Sequence, residues 1–136
     1  MLKSQSIEVL LNKWLSTHVE IELAILFGSY AKGTATRLSD IDIAVQLSSG
    51  RCIQAGDKLV YINQLTELLN VSVDLVDLIS IGQPLLSQVI KYGRRLIGSQ
   101  DLYAQLAIRN VNSSQDFIPY IERMLNERRR RWLADG

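Results

Sequence analysis

One stretch, FGSYAKGTATRLSDIDIAV from Phe27 to Val45, restricts the architecture more than any other part of the chain. It is entered from VEIELAILF, where Val19, Ile21, Leu23, Ile25 and Phe27 alternate before the run becomes wholly apolar, the pattern of a strand entering a core. Gly28 and Ser29 end that strand, and Tyr30, Ala31 and Lys32 allow a short helical turn before Gly33 breaks it. Ser39 to Val45 is another strand by its β-branched content. Because strand side chains alternate, Asp40 and Asp42 share one face while Ile41 and Ile43 enter the other. The whole stretch reads as a phosphate cradle facing a pair of carboxylates.

Each residue type in it has a physical reason. A glycine lets the backbone come close to a phosphate, amides at the start of a helical turn point at the anion, and the serine hydroxyl adds a donor. Lys32 and Arg37 could add positive charge beside it. Two adjacent carboxylates repel, raising one pKa unless a divalent cation neutralises them. Mg²⁺ suits such a pair, since it takes one or two protein carboxylates and completes its octahedron with water and phosphate oxygens. An isolated Asp-x-Asp would favour two solvated side chains; the Gly-Ser pair upstream moves the balance toward a site. A third strand, Val71 to Leu78, places Ser72, Asp74 and Val76 on one face and Val73, Leu75 and Asp77 on the other. Asp74, set among valines and leucines, is the expected third carboxylate, able to bind a second metal or accept the proton of an attacking hydroxyl. Asp77 is expected to start the following loop, although a bulge would exchange the two faces.

The rest of the chain is scaffold. Its 136 residues fit one domain, and 47% hydrophobic with 21% charged residues describes a compact chain with no long polar tract. A formal net charge of +1 provides no global attraction to nucleic acid or membrane. Cys52, the single cysteine, cannot form an internal disulfide or a metal site alone and is expected to be semi-buried. The first fifteen residues are interrupted by Glu8, Asn12 and Lys13, unlike a signal peptide or membrane span, so a reducing cytoplasm is expected. They read as an amphipathic helix with Ile7, Leu10, Leu11 and Trp14 on its buried stripe and Ser4 or Ser6 as cap. His18 reads as a solvated turn residue.

A second helix carries Leu59, Ile62, Leu65 and Leu69, and a third, opened by Pro84, carries Leu85, Leu86, Val89 and Ile90 up to Tyr92 and Gly93. Arg94 to Ile97 is a short strand whose arginines could reach phosphates, and Asp101 to about Arg109 is helical. A last helix is expected from Asp116 and Pro119 through Trp132, with Glu127 to Arg131 as a solvated end or a docking surface for an acidic partner. The expected architecture is α/β (α+β): a mixed sheet flanked by helices, with a C-terminal helical tail. It forms one domain over 1–136, with a core of about 1–98 and a tail of about 99–136.

GSYAKGTATRLSDIDIAV followed by VDLVDL resembles the nucleotidyltransferase superfamily of the DNA polymerase beta type, and within it the minimal nucleotidyltransferases. The superfamily pattern of Gly-Ser, Asp-x-Asp and a later strand carboxylate falls on Gly28, Ser29, Asp40, Asp42 and Asp74. The resemblance covers about the first two thirds of the chain and is closest to the antitoxins paired with HEPN ribonuclease toxins. It implies transfer of AMP from ATP to a tyrosine of such a toxin. Ser29 and the amides around Gly28, with Lys32 and Arg37, would hold the terminal phosphates. Asp40, Asp42 and Asp74 would hold two Mg²⁺ ions. The implied partner is the toxin, in a possible hetero-oligomer, with no membrane or direct nucleic-acid contact. Two other readings stand beside it: a transferase acting on a small molecule or RNA end, and a noncatalytic antitoxin that neutralises by contact.

Overall fold

The computed structural model describes residues 4–109, which fall into two units parting between Ile97 and Gly98. In the first unit β1 (Ile21–Phe27), β2 (Ile41–Leu47), β3 (Val73–Asp77) and β4 (Arg94–Ile97) form one sheet in the order β3-β2-β1-β4. β1 runs antiparallel to β2 and to β4, while β2 and β3 are parallel. The expected mixed sheet is therefore present. Its strands are shorter at their entries than the sequence suggests: Val19 stands in a turn, 85% exposed, and Ser39, Asp40, Val71 and Ser72 precede their strands.

The two faces of the sheet carry different cargo because strand side chains alternate. On one face Ala24, Leu26, Ile41, Ile43, Val45 and Leu75 meet Ile7, Leu11, Trp14 and Leu15 of α1 (Ser4–Ser16) and Tyr61, Leu65 and Leu69 of α3 (Ala55–Leu69). Each of the fully buried leucines and isoleucines contributes roughly 1.5–3 kcal/mol by leaving water. The α1 stripe is as expected, with Leu15 added and Leu10 at its half-buried margin; Ser6 lies inside the helix rather than at its cap. On α3, Leu59 points outward and Tyr61 is buried in its stead. The Tyr61 hydroxyl donates to Glu20 Oε1 at 2.9 Å. Burial first, then this bond and the charges of Glu20 and Asp57, push the Tyr61 hydroxyl up to about 12.

His18 stands in the turn between α1 and β1 as expected, but it is half-buried rather than freely solvated. Its ring stacks on Trp14 at 4.0 Å, and Nδ1 lies 2.8 Å from the Trp14 carbonyl oxygen. Cys52, by contrast, is exposed rather than semi-buried. On the other face of the sheet α4 (Leu85–Tyr92) buries Leu86, Val89 and Ile90 and packs on β1. Gly93 closes this helix where no side chain fits, since a Cβ there would run into the Val89 carbonyl and the Ile25 side chain.

In the second unit α5 (Gln100–Arg109) starts one residue before the expected Asp101, and Ser99 Oγ caps it by accepting the Leu102 amide at 3.1 Å. The helix expected from Asp116, and the run Glu127 to Arg131, lie outside the described residues. Among the described residues no helix is long and apolar enough to cross a membrane.

Candidate active site

The chain leaves β1 at Phe27 and turns at once into α2 (Gly28–Lys32). Gly28 makes this turn at φ +73, a left-handed conformation that favours glycine. Phe27 is paired with Asp42 across the β1–β2 ladder, so the next residue stands directly against that aspartate. A Cβ at Gly28 would collide with the Asp42 carboxylate. Glycine is thus required here twice, by backbone conformation and by close approach. Gly33, at φ +76, ends α2, and its amide and that of Thr34 both bond to the Ser29 carbonyl oxygen. The Ser29 hydroxyl takes no part in these bonds.

The loop from Gly33 to Asp40 is braced by two side chains. The Thr36 amide donates to Ser39 Oγ at 2.8 Å, the Leu38 amide to Thr36 Oγ1 at 3.3 Å, and the Ser39 amide to the Thr36 carbonyl at 3.1 Å. Sequence reasoning assigns no role to Thr36 or Ser39, although their spacing is that of a hydroxyl-closed turn. Together they deliver Asp40 to the start of β2.

Asp42 is half-buried on β2, and the parallel register sets Asp74 of β3 beside it. Asp74 is exposed, as is Asp40. Burial, then the charge of Asp74 and then that of Asp40, hold the Asp42 carboxyl above its ordinary range. Asp42 thus feels the charge of both other aspartates. Among the described residues no three His, Cys, Asp or Glu side chains stand as a ready-made metal cage. Two facing carboxylates, one of them resisting ionisation, are nevertheless the donor set that a Mg²⁺ ion shared with phosphate oxygens uses.

Asp77 lies on the opposite face of β3 and is buried. Its Oδ2 accepts the Ile53 amide at 2.7 Å and its Oδ1 the Ile79 amide at 3.0 Å. These bonds clasp the loop before α3 to the end of the sheet, so Asp77 closes the strand rather than simply opening a loop.

The cations diverge. The Lys32 ammonium stands 4.4 Å from the centroid of the Tyr92 ring. Arg37 lines an open depression of about 770 Å³ with Leu10, Tyr30, Leu68 and Leu69, residues drawn from α1, α2 and α3. Arg94 pairs with Glu8 of α1 at 2.6 Å. Tyr92, which sequence reasoning treats only as a helix end, is thus a neighbour of the cradle helix.

The arrangement can hold a phosphate chain at a glycine turn next to a carboxylate group, and the chain is similar to several known proteins. The sequence model of the family described as "Polymerase beta, Nucleotidyltransferase" matches residues 10–120. The protein adenylyltransferase MntA of Shewanella oneidensis is 38% identical over 96 residues, 71% of this chain and 68% of its own. A chain in the crystal structure of a toxin–antitoxin with AMP-PNP superposes with a TM-score of 0.72 at 30% identity, over 88% of this chain and 96% of that one. A chain in the structure of a tri-AMPylated Shewanella oneidensis HEPN toxin in complex with MNT antitoxin gives 0.68 at 27% identity, over 91% and 97%. The glycine turn, the grouped aspartates and these matches have one conclusion: the chain belongs to the polymerase beta family of nucleotidyltransferases.

Proposed function

We propose that this nucleotidyltransferase is a protein adenylyltransferase that serves as an antitoxin, moving AMP from ATP to a tyrosine hydroxyl of a HEPN toxin. The observation that carries the reading is the likeness to a protein adenylyltransferase and to chains solved together with such a toxin. The site supports it. Gly28 and Ser29 offer the terminal phosphates a backbone cradle and a hydroxyl, and Lys32 is the cation we assign to them, since Arg37 lines the depression on the side of α1 and α3. Asp40, Asp42 and Asp74 would hold Mg²⁺, taken here as two ions. When bound, Mg²⁺ supplies charge neutralisation along the triphosphate and at the leaving group.

Asp74, exposed at the rim, is the group we assign to take the proton from the acceptor hydroxyl. The acceptor oxygen then bonds to the α-phosphorus while the bond from that phosphorus to the bridging oxygen breaks, and pyrophosphate leaves. The work of the chain is orientation and electrostatics around that exchange. Such a protein meets ATP and its toxin in the cytoplasm, the compartment this reading requires.

Labelled ATP and Mg²⁺ should transfer label to the cognate toxin and silence it. Asp40→Asn combined with Asp42→Asn should abolish both effects. A toxin that stays unlabelled in the presence of the wild-type chain overturns the proposal. Neutralisation that survives in the double variant would identify an antitoxin acting by contact alone, and labelling of small molecules or RNA ends without a partner protein would point to another acceptor.

A further inference from the structure

We infer that Tyr92 is a positioning residue for the nucleotide: its ring keeps the Lys32 ammonium on the face of the sheet that carries Asp42, where that charge meets the triphosphate. The inference rests on the reading of the chain as an ATP-dependent nucleotidyltransferase.

Lys32 closes the short helix α2, whose first residue abuts Asp42. Its ammonium stands over the ring of Tyr92, 4.4 Å from the centroid, at the end of α4. Tyr92 is 48% exposed, so burial does not hold it in place. The backbone behind it does, because Gly93 is seated against the Val89 carbonyl and the Ile25 side chain. Ile25 lies on the same face of β1 as Phe27, which is paired with Asp42. Lys32 is therefore held on the reactive face, whereas Arg37 lines the depression beside Leu10 and Leu69, on the side of α1 and α3.

An aromatic partner suits this task better than an acidic one. A carboxylate would cancel the charge that the phosphates need. The ring attracts the ammonium by its quadrupole and leaves the net charge intact. Confining a long, rotamer-rich side chain before the ligand arrives also lowers the ordering cost of binding.

The test uses the full chain, with equilibrium binding of a fluorescent ATP analogue in Mg²⁺ alongside the KM for ATP in toxin labelling. Tyr92→Leu should raise both constants about two- to fivefold, with the loss falling on KM rather than kcat. Tyr92→Phe, which keeps the ring, should bind as the wild type does. In a Lys32→Met background, Tyr92→Leu should add nothing. Unchanged binding in Tyr92→Leu, an equal loss in Tyr92→Phe, or a full further loss in the Lys32→Met background would each overturn the inference while leaving the adenylyltransferase reading intact. A wild-type chain that fails to bind the analogue at all would overturn both.

Discussion

Gly28 and Asp42 constrain each other. The turn that would bring the backbone within reach of a phosphate also brings it against the carboxylate, and only a residue without a side chain can occupy the gap. Gly28→Ala should cost about 1–2 kcal/mol from the left-handed backbone alone, displace Asp42, and abolish adenylyl transfer; urea unfolding together with toxin labelling measures both. Asp42 is strained in a different sense, by charge. Because burial and its acidic neighbours raise its carboxyl in the folded chain, the folded state holds that proton longer than the unfolded state does. The stability this gives is complete below the ordinary aspartate range and is lost as pH rises through the raised value. Without divalent metal, Asp42→Asn should therefore match the wild type in acid and become progressively more stable as pH rises. Added Mg²⁺ should narrow the gap by stabilising the wild type. Thermal midpoints of both proteins between about pH 3 and 7 test this, and a difference that does not change with pH would refute it.

At the level of elements, β3 shows what strand periodicity can and cannot reveal. Alternation alone separates Asp74 from Asp77, and the parallel register then sets Asp74 beside Asp42. That much is legible in the sequence, as are the glycine turn, the buried stripe of α1 and the mixed sheet. The clasp made by Asp77 is not, because its partners are the amides of Ile53 and Ile79, and no residue type advertises a backbone donor across a loop. The same limit hides Tyr92 from Lys32, and it makes Leu59 look like core on α3 when the tertiary packing selects Tyr61. The two aspartates should separate cleanly by experiment. Asp77→Ala leaves two amides without their charged acceptor and should lower stability by about 2 kcal/mol, while the folded fraction still labels the toxin. Asp74→Asn removes a repulsive neighbour of Asp42 and should leave stability equal or slightly higher, with labelling lost. Denaturant midpoints and labelling rates on the same two proteins decide it; labelling that depends on Asp77 and not on Asp74 would exchange their roles.

In the molecule as a whole, the sheet divides labour between its faces. Among the described residues, one is closed by α1 and α3 over the larger part of the core, and the other is covered by α4 at β1 and carries half-buried Asp42 and exposed Asp74 on β2 and β3. A site with this geometry would bind a nucleotide through its cradle, but exposed Asp40 and Asp74 give the described residues little wall with which to orient an acceptor. Orientation is worth several kcal/mol to a transfer reaction, and binding energy away from the reacting atoms is what supplies it. In this chain that energy must come largely from the surface the acceptor brings. A short tyrosine peptide taken from the toxin should accordingly be labelled at least about a hundredfold more slowly than the folded toxin at equal concentration, with the KM for ATP nearly the same for both. Parallel time courses with labelled ATP and the two acceptors measure this ratio. Comparable rates would mean that the chain grips the acceptor segment by itself, in an acceptor groove of its own.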